Sequence, residues 1–291
     1  MSLMTVKKEV QTLIVPPACA QQKLISFLKQ KTKGEIPYSA LMRLIRRGEV
    51  RVNKRRSKPF YRLQAGDEVR IPPYYASQKE TAPPFSLHIV FEDKNLLVLE
   101  KPAGLALHKG SKTPCSLQEM LLNHFVDKDF VPTPVHRLDK ETSGLLLLAK
   151  NFATLTSLQK NWSQVEKRYL AWVKGEIKKE TILEDYLLKT PHKIVFSPQG
   201  KKAISRVKPL LFLKSKQITL LEIKILTGRT RQIRAQLGLR NHPLLGDKKF
   251  KEFTTPFLAL HAYYLKLPSK ALYSYPSWPK PYWQERFKKL I

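Results

Sequence analysis

One carboxylate in this chain stands among groups that could give it a chemical role. Asp139 lies between Arg137 and Lys140, and the hydroxyls of Thr142 and Ser143 follow it. Positive charge near a carboxylate favours its ionised form, and an ionised carboxylate at the mouth of a rigid strand can act as a nucleophile or an electrostatic stabiliser. The structural alternative, more common for so short a motif, is that Asp139 caps a turn or pairs with a neighbouring arginine.

The residues after Asp139 predict the rigid element that would hold it. Residues 145–149 are continuously apolar, follow Gly144 and are too few to span a membrane, so they indicate an interior strand. Kinase chemistry is excluded, because Leu138 separates the His-Arg pair from Asp139 and no glycine-rich phosphate loop precedes a strand lysine.

The segment HRLDKETSGLLLLAK, residues 136–150, closely resembles the signature of the RluA-type pseudouridine synthases. In that family the aspartate of HRLD is catalytic, so the resemblance implies this role for Asp139. KPAG at residues 101–104 resembles another family motif, for which the implied role is structural support beside the cleft, and NHPLLGD matches at residues 241–247. The resemblance covers about residues 20–268.

Two further motifs supply the partners that the resemblance implies for Asp139. KRYLA, residues 167–171, matches the family's K-x-Y-L-A motif, in which the tyrosine, here Tyr169, stacks on the target base. An aromatic platform suits a protein that holds an unstacked base, whereas a lone strand tyrosine is ordinarily a core residue with its hydroxyl satisfied. TGRTRQIR, residues 227–234, is similar to the motif usually written TGRTHQIR, whose final arginine, here Arg234, pairs with the catalytic aspartate.

Arg231 departs from the third motif, because the family usually has histidine at this position. A cation is kept, but a role that needs a neutral imidazole is lost, and ring stacking becomes guanidinium stacking. We expect activity to survive, since Asp139 and Arg234 are present. Thr230 as a cap and apolar i, i+4 spacing predict a short helix whose opening turn contains Arg231 and Arg234. We expect the substrate to be positioned by Arg137, Arg229 and Arg231.

The charge balance of the chain points to a polyanionic partner. The 291 residues include 53 Lys and Arg against 23 Asp and Glu, a net charge of +30. Such an excess binds phosphates in a salt-dependent way. An anionic membrane surface is the competing partner, but the sequence has no run of about 20 apolar residues and no basic interfacial helix. Cys19 and Cys115 belong to no CxxC or Cys/His cluster, so we expect a cytoplasmic nucleic-acid-binding protein with no metal site and no disulfide framework.

A second concentration of positive charge lies near the N-terminus. Ser39 is a good N-cap, and Leu41, Leu44 and Ile45 follow the spacing of a buried helical stripe. Arginines gather on another face, and because their charges share one sign they favour phosphate contact over a merely solvated surface. Residues 42–73 also resemble the alpha-L RNA-binding domain named after ribosomal protein S-four, which precedes the catalytic domain in the RluC-like subgroup. The resemblance implies RNA held against Arg43, Arg46, Arg47, Arg51, Lys54 and Arg55.

Together these observations predict an α+β protein. Its expected segments are an N-terminal tail or edge strand at residues 1–15, the alpha-L domain at 16–74, a semi-rigid linker at 75–86 and a catalytic domain at 87–291. We expect the first helix at residues 20–32. The resemblance implies a catalytic domain built on a mainly antiparallel mixed sheet with a central cleft. Its strand at residues 218–226 is expected to have one buried face and one wet face that carries Glu222 and Lys224.

The leading hypothesis is an isomerase that converts uridines of 23S ribosomal RNA to pseudouridine without a cofactor, as a monomer acting on the RNA or its assembly intermediate. A tRNA pseudouridine synthase is the alternative with the same chemistry. A non-catalytic RNA-binding assembly factor would have lost Asp139, Tyr169 or Arg234, and all three are present. A carboxylate glycosylase acting on nucleic acid would release free base instead.

Overall fold

A computed structural model describes residues 5–77, 86–108, 115–125, 128–191, 193–249, 255–268 and 270–291. The chain forms two compact units. The first comprises Met1–Val98, Leu107–His136 and Leu147–Lys160, and the second comprises Leu99–Ala106, Arg137–Leu146 and Asn161–Ile291. This division does not coincide with the segment boundaries predicted at residues 15, 74 and 86, which stay a proposal about folding modules.

The N-terminal part of the first unit contains two helices and two small antiparallel sheets. Its elements are β1 (Thr5–Lys8), β2 (Gln11–Ile14), α1 (Leu24–Lys31), α2 (Tyr38–Arg47), β3 (Arg51–Val52), β4 (Arg55–Arg56), β5 (Glu68–Ile71) and β6 (Tyr74–Ser77). Strands β2, β5, β3 and β4 form one sheet in that order, and β1 pairs with β6 to form the other. The edge-strand alternative for the N-terminus is therefore confirmed for residues 11–14.

Several local predictions in this part need correction. The first helix begins at Leu24 rather than residue 20, because Pro17–Cys19 form a separate 3-10 turn and Gln21 has a φ of 68°. The second helix has Pro37 as its N-cap instead of Ser39, which lies inside the first turn. The start of the predicted linker is strand β6, which pairs with β1, and residues 78–85 lie outside the described part of the chain.

The next elements along the chain lie in the first unit or are divided between the two units. These elements are β7 (His88–Glu92), β8 (Leu96–Lys101), α3 (Leu117–His124), β9 (Thr133–Pro134), β10 (Ser143–Ala149) and α4 (Phe152–Lys160). Helix α3 begins with a capping box, in which the Ser116 hydroxyl accepts from the Glu119 backbone N–H and the Glu119 carboxylate accepts from the Ser116 N–H. Strand β10 confirms the interior strand predicted after Asp139, since residues 144–149 are buried. The residues of β8 and β10 are divided between the two units.

The second unit is built on a mixed, mainly antiparallel sheet, which confirms the predicted α+β class. Its elements are β11 (Glu166–Lys174), β12 (Thr181–Lys189), β13 (Ile194–Phe196), β14 (Lys201–Leu213), β15 (Ile218–Ile225), α5 (Gln232–Gly238), β16 (Leu260–Lys266) and β17 (Ala271–Tyr273). The strand order is β13-β12-β14-β15-β11-β16, with β17 pairing on β16. The start of β10 pairs with β16 in parallel, Ser143 beside His261 and Gly144 beside Ala262.

The core of the second unit includes the C-terminal segment. Trp172 on β11 and Tyr263 on β16 are buried together with Trp278 and Phe287 from the segment after β17. The Trp172 indole N–H donates to the Tyr282 carbonyl oxygen at 2.7 Å. The aromatic tail thus completes the hydrophobic core of its own unit.

The prediction of a wet face on β15 was wrong for Glu222. This carboxylate is buried, where it accepts a hydrogen bond from the Tyr263 hydroxyl and lies 3.3 Å from the Arg168 guanidinium. Strand β15 pairs on both sides, with β14 and β11, so its side chains meet neighbours that the simple alternation of polar and apolar residues does not include. A buried charge of this kind is tolerated because it is paired.

Candidate active site

Two tightly joined strands position the turn that carries Asp139. The Thr142 backbone N–H donates to the Asp139 carbonyl at 3.1 Å and closes the turn. Gly144 has a φ of 110°, and any side chain on it would collide with the backbone of Ala262 on β16. The Ser143 hydroxyl bonds the buried ring of His261 at 2.8 Å. The glycine of the motif therefore permits the parallel strand contact at the end of the Asp139 turn.

Lys101 fixes the other side of the same turn. Its buried ammonium donates to the carbonyl oxygens of Pro102 at 2.7 Å and of Leu105 and Lys140 at 3.0 Å each. The three ammonium protons thus have three acceptors. Burial lowers the pKa of Lys101 to about 7, against the opposing influence of the nearby acidic side chains. The contacts agree with the supporting role that the resemblance implied for the KPAG segment.

Arg234 lies between the carboxylates of Asp139 and Asp247 and is closer to that of Asp247. Its Nη1 is 3.7 Å from Asp139 Oδ2. Its Nε and Nη2 donate to the two carboxylate oxygens of Asp247 at 2.8 and 2.6 Å, a bidentate pair. Burial opposes the charge on Arg234, but Asp247 and then Asp139 raise its pKa above the ordinary value. The expected pairing of Arg234 with Asp139 is present in a loose form, and the tight partner is another residue.

Asp247 is the site residue that the sequence analysis missed. Its side chain is 1% exposed. The sequence analysis gave it no role and included it only as the last residue of the matched segment 241–247. An acidic residue directly after Gly246, in a segment that resembles the family, was the available signal. Its partner could not be inferred, because the contact depends on how the chain returns after α5.

Tyr169 enters the site from a bulged strand. The pairing of β11 with β16 shifts register between Arg168 and Tyr169, and a bulge of this kind changes the direction of a side chain. Tyr169 lines the same pocket as Asp139. Burial, and after it the charge of Asp139, raise the pKa of the Tyr169 phenol well above its ordinary value. The ring is therefore a neutral aromatic surface beside a carboxylate.

A rim of arginines surrounds this pocket. Arg137, Arg229 and Arg231 are exposed and line it together with Asp139, Tyr169 and Arg234, so the structure brings together all six residues predicted for catalysis and substrate positioning. The Asp139 carboxylate is 19% exposed and open to solvent through this pocket.

The first residue of α5 holds the loop that carries Arg229 in place. The Gln232 side-chain oxygen accepts from the Arg229 backbone N–H at 3.0 Å and from the Thr227 hydroxyl at 2.8 Å. Arg231, and not Thr230 as expected, is the N-cap of α5, with a φ of 52° that is uncommon for a residue with a side chain. No side-chain hydrogen bond caps this helix. The exposed Arg231 side chain is thus presented at the pocket mouth from a strained backbone.

The predicted RNA-contact residues belong to the first unit. On α2 the side chains of Arg43, Arg46 and Arg47 are exposed, whereas Leu41 and Ile45 are buried. The others follow in the β3–β4 hairpin, where Lys54 and Arg55 are exposed and Arg51 is half-buried. The structure therefore confirms that helix α2 has separate apolar and cationic faces.

The described residues contain neither a metal-binding cluster nor a membrane-spanning helix. No set of three or more His, Cys, Asp and Glu side chains there is arranged to hold a metal ion. Likewise, none of the helices in the described ranges is both long enough and apolar enough to cross a bilayer.

Comparison with known proteins gives consistent similarities. Residues 95–238 match the family described as RNA pseudouridylate synthase. The chain is 37% identical over 287 residues to ribosomal large subunit pseudouridine synthase C of Pasteurella multocida (strain Pm70), covering 90% of this chain and 87% of that protein. It is 36% identical over 249 residues to the protein of the same name from Escherichia coli (strain K12), covering 79% and 76%.

Solved structures show the same fold. The human RNA pseudouridylate synthase domain containing 1 aligns with a TM-score of 0.56 and 24% identity, over 70% of this chain and 87% of its own. The human RNA pseudouridylate synthase domain containing 4 aligns with a TM-score of 0.56 and 23% identity, over 65% and 89%.

Proposed function

Because the chain belongs to the RNA pseudouridylate synthase family and is an RNA pseudouridine synthase, we propose that it isomerises uridines of 23S ribosomal RNA with Asp139 as the catalytic residue. The names of its relatives support the large-subunit RNA, or an assembly intermediate of it, as the substrate. We propose that it works in the cytoplasm and acts as a monomer. Transfer RNA is the second candidate substrate.

The observation that carries this proposal is the solvent-open pocket in which Asp139 lies beside Tyr169 and Arg234. A uridine must leave its stack before a protein group can reach its glycosidic bond, at a cost of a few kcal/mol that is smaller in an unpaired loop. Arg137, exposed at the pocket mouth, expels the base or occupies its vacated place, and Tyr169 holds the base by stacking. The neutral state of the Tyr169 ring suits a stacking role beside a negative charge.

In the chemical step, the carboxylate of Asp139 acts on the extruded uridine. The bond between the ribose and the ring nitrogen breaks, the uracil rotates, and carbon five forms a new bond to the same ribose carbon. Carbon five loses a proton and the released ring nitrogen gains one, so the product has the same mass as the substrate. Arg234 orients Asp139 and stabilises its charge from 3.7 Å. Arg229 and Arg231 contact the flanking phosphates.

The test is the variant Asp139→Asn, which keeps the shape of the side chain and removes its charge. We expect turnover to fall below detection and RNA affinity to stay nearly unchanged. Pseudouridine is measured as a carbodiimide-dependent reverse-transcription stop in 23S rRNA and tRNA incubated with the protein. Glu176→Gln, which neutralises an exposed carboxylate that pairs with Lys178, is the matched control and should keep full activity.

Each other hypothesis predicts its own result when the RNA, the released bases and the binding are all measured. Full activity of the Asp139 variant would refute the catalytic assignment. Release of free uracil would identify a glycosylase, and tight binding without any change in the RNA would identify an assembly factor. Reverse-transcription stops confined to tRNA would show that tRNA, and not 23S rRNA, is the substrate.

A further inference from the structure

Two neighbouring aromatic side chains in the first unit are exposed without an assigned role. Phe60 is 56% exposed and Tyr61 is 39% exposed. Single exposed apolar residues need no explanation, but these two line one open groove of about 740 Å³ together with Arg55, Arg56 and Lys58. The groove thus combines two aromatic surfaces with three cations.

The backbone beneath the two rings is anchored. The Leu24 N–H donates to the Tyr61 carbonyl at 2.9 Å, and the Ile25 N–H donates to the Pro59 carbonyl at 3.0 Å, so the start of α1 holds this segment. The Tyr61 N–H in turn donates to the Lys58 carbonyl at 3.0 Å. These hydrogen bonds involve the backbone and fix its position. Both rings are exposed on this fixed backbone. A surface that is ordered beforehand binds at a lower entropic cost.

The charge around the rings has one sign. Arg55, Arg56 and Lys58 are exposed, and none of them forms an ion pair with a carboxylate within the ranges that the structure describes. The Lys23 ammonium lies 5.2 Å from the centre of the Phe60 ring and adds a fourth cation. Cations that track a backbone, combined with aromatic rings on which bases stack, are the elements with which proteins bind unpaired nucleic acid.

We propose that Phe60 and Tyr61 form a stacking platform for an unpaired RNA nucleotide, with Arg55, Arg56 and Lys58 on the adjoining phosphates. This proposal rests on the proposed function for the identity of the ligand as substrate RNA, and it adds a base-contacting subsite to a surface assigned only phosphate contacts. The platform would favour substrates in which an unpaired nucleotide accompanies the target uridine.

Binding to two RNA probes tests the platform. One probe is an RNA duplex with a single-stranded extension that contains 2-aminopurine, and the other is the same duplex with blunt ends. The double variant Phe60→Leu/Tyr61→Leu keeps apolar bulk but removes both rings. We expect about 5- to 150-fold weaker binding of the extended probe, loss of the 2-aminopurine quenching, and no change for the blunt duplex. Tyr75→Leu, which removes a 71% exposed tyrosine on β6, is the matched control and should bind both probes normally.

The charged part of the proposal has a separate signature. Replacing Arg55, Arg56 and Lys58 by Gln should lower the slope of log affinity against log salt by about 2 for the extension, whereas the aromatic variant should leave that slope unchanged. All measurements use chains that also carry Asp139→Asn, so a wrong catalytic assignment leaves the binding result readable. Equal losses on both probes, unchanged quenching, or displacement of the RNA by polyglutamate at equal charge would each overturn the platform.

Discussion

Asp247 offers the sharpest test of how the active site is organised. Its carboxylate holds two corners of the Arg234 guanidinium at 2.6 and 2.8 Å, which leaves Nη1 for Asp139 at 3.7 Å. In the variant Asp247→Asn one negative charge disappears, and the new amide group opposes an Arg234 N–H. We expect Arg234 to turn its free donors toward Asp139 and to occupy the oxygens that the reaction needs.

The magnitude follows from the bonds involved. A hydrogen bond to a charged group contributes about 1.5–3 kcal/mol. In the variant, a tight Arg234–Asp139 pair must break before Asp139 can react, and this adds about the same amount to the activation free energy of the chemical step. This corresponds to a loss of about 10- to 150-fold in the rate of the chemical step. Stability should fall by about 2–3 kcal/mol, because one pair is lost and a second is partly gained.

The assay is single-turnover pseudouridine formation at saturating RNA, with affinity measured separately and stability by urea unfolding. Asp185→Asn is the matched control, since Asp185 also forms a bidentate pair, with Arg240 at 2.7 and 3.1 Å, and does not line the pocket. It should lose comparable stability and keep its rate. Asp247→Glu, which retains the charge, should recover part of the rate. An Asp247→Asn protein as destabilised as the control but with the wild-type rate would refute the positioning argument.

Two further predictions concern the folding of the second unit. Burial lowers the pKa of His261 from 6.5 to about 4, so the unfolded chain binds more protons than the folded chain between these pH values. The free energy of unfolding should therefore fall by about 3 kcal/mol as the pH drops from 6.5 to 4. His261→Gln should remove this loss, as measured by urea unfolding across that range. Trp278→Ala should cost about 3–5 kcal/mol by the same measurement because Trp278 is packed in the core. Tyr273→Ala removes an exposed ring whose centroid is 5.0 Å from that of Tyr264, and it should cost about 1 kcal/mol. Equal effects at the two positions would contradict an integral C-terminal segment.

Much of the site was predictable because its signals are local. The strand after Asp139 follows from an uninterrupted apolar run. The cationic face of α2 follows from helical periodicity, which places residues three and four apart on one side. The C-terminal stop of that helix at Gly48, with a φ of 75°, follows from the left-handed conformation that glycine adopts at no cost.

Only the tertiary structure decided which charges meet. From sequence, Arg234 was assigned to Asp139, but a guanidinium fork chooses its carboxylate by distance and angle, and the return of the chain after α5 brings Asp247 closer. Glu222 was predicted to be solvent-exposed, because the alternation of residues along one strand contains no information about Arg168 and Tyr263 on other strands. Residue order determines the local elements, whereas the partner of a buried charge depends on packing between residues far apart in the chain.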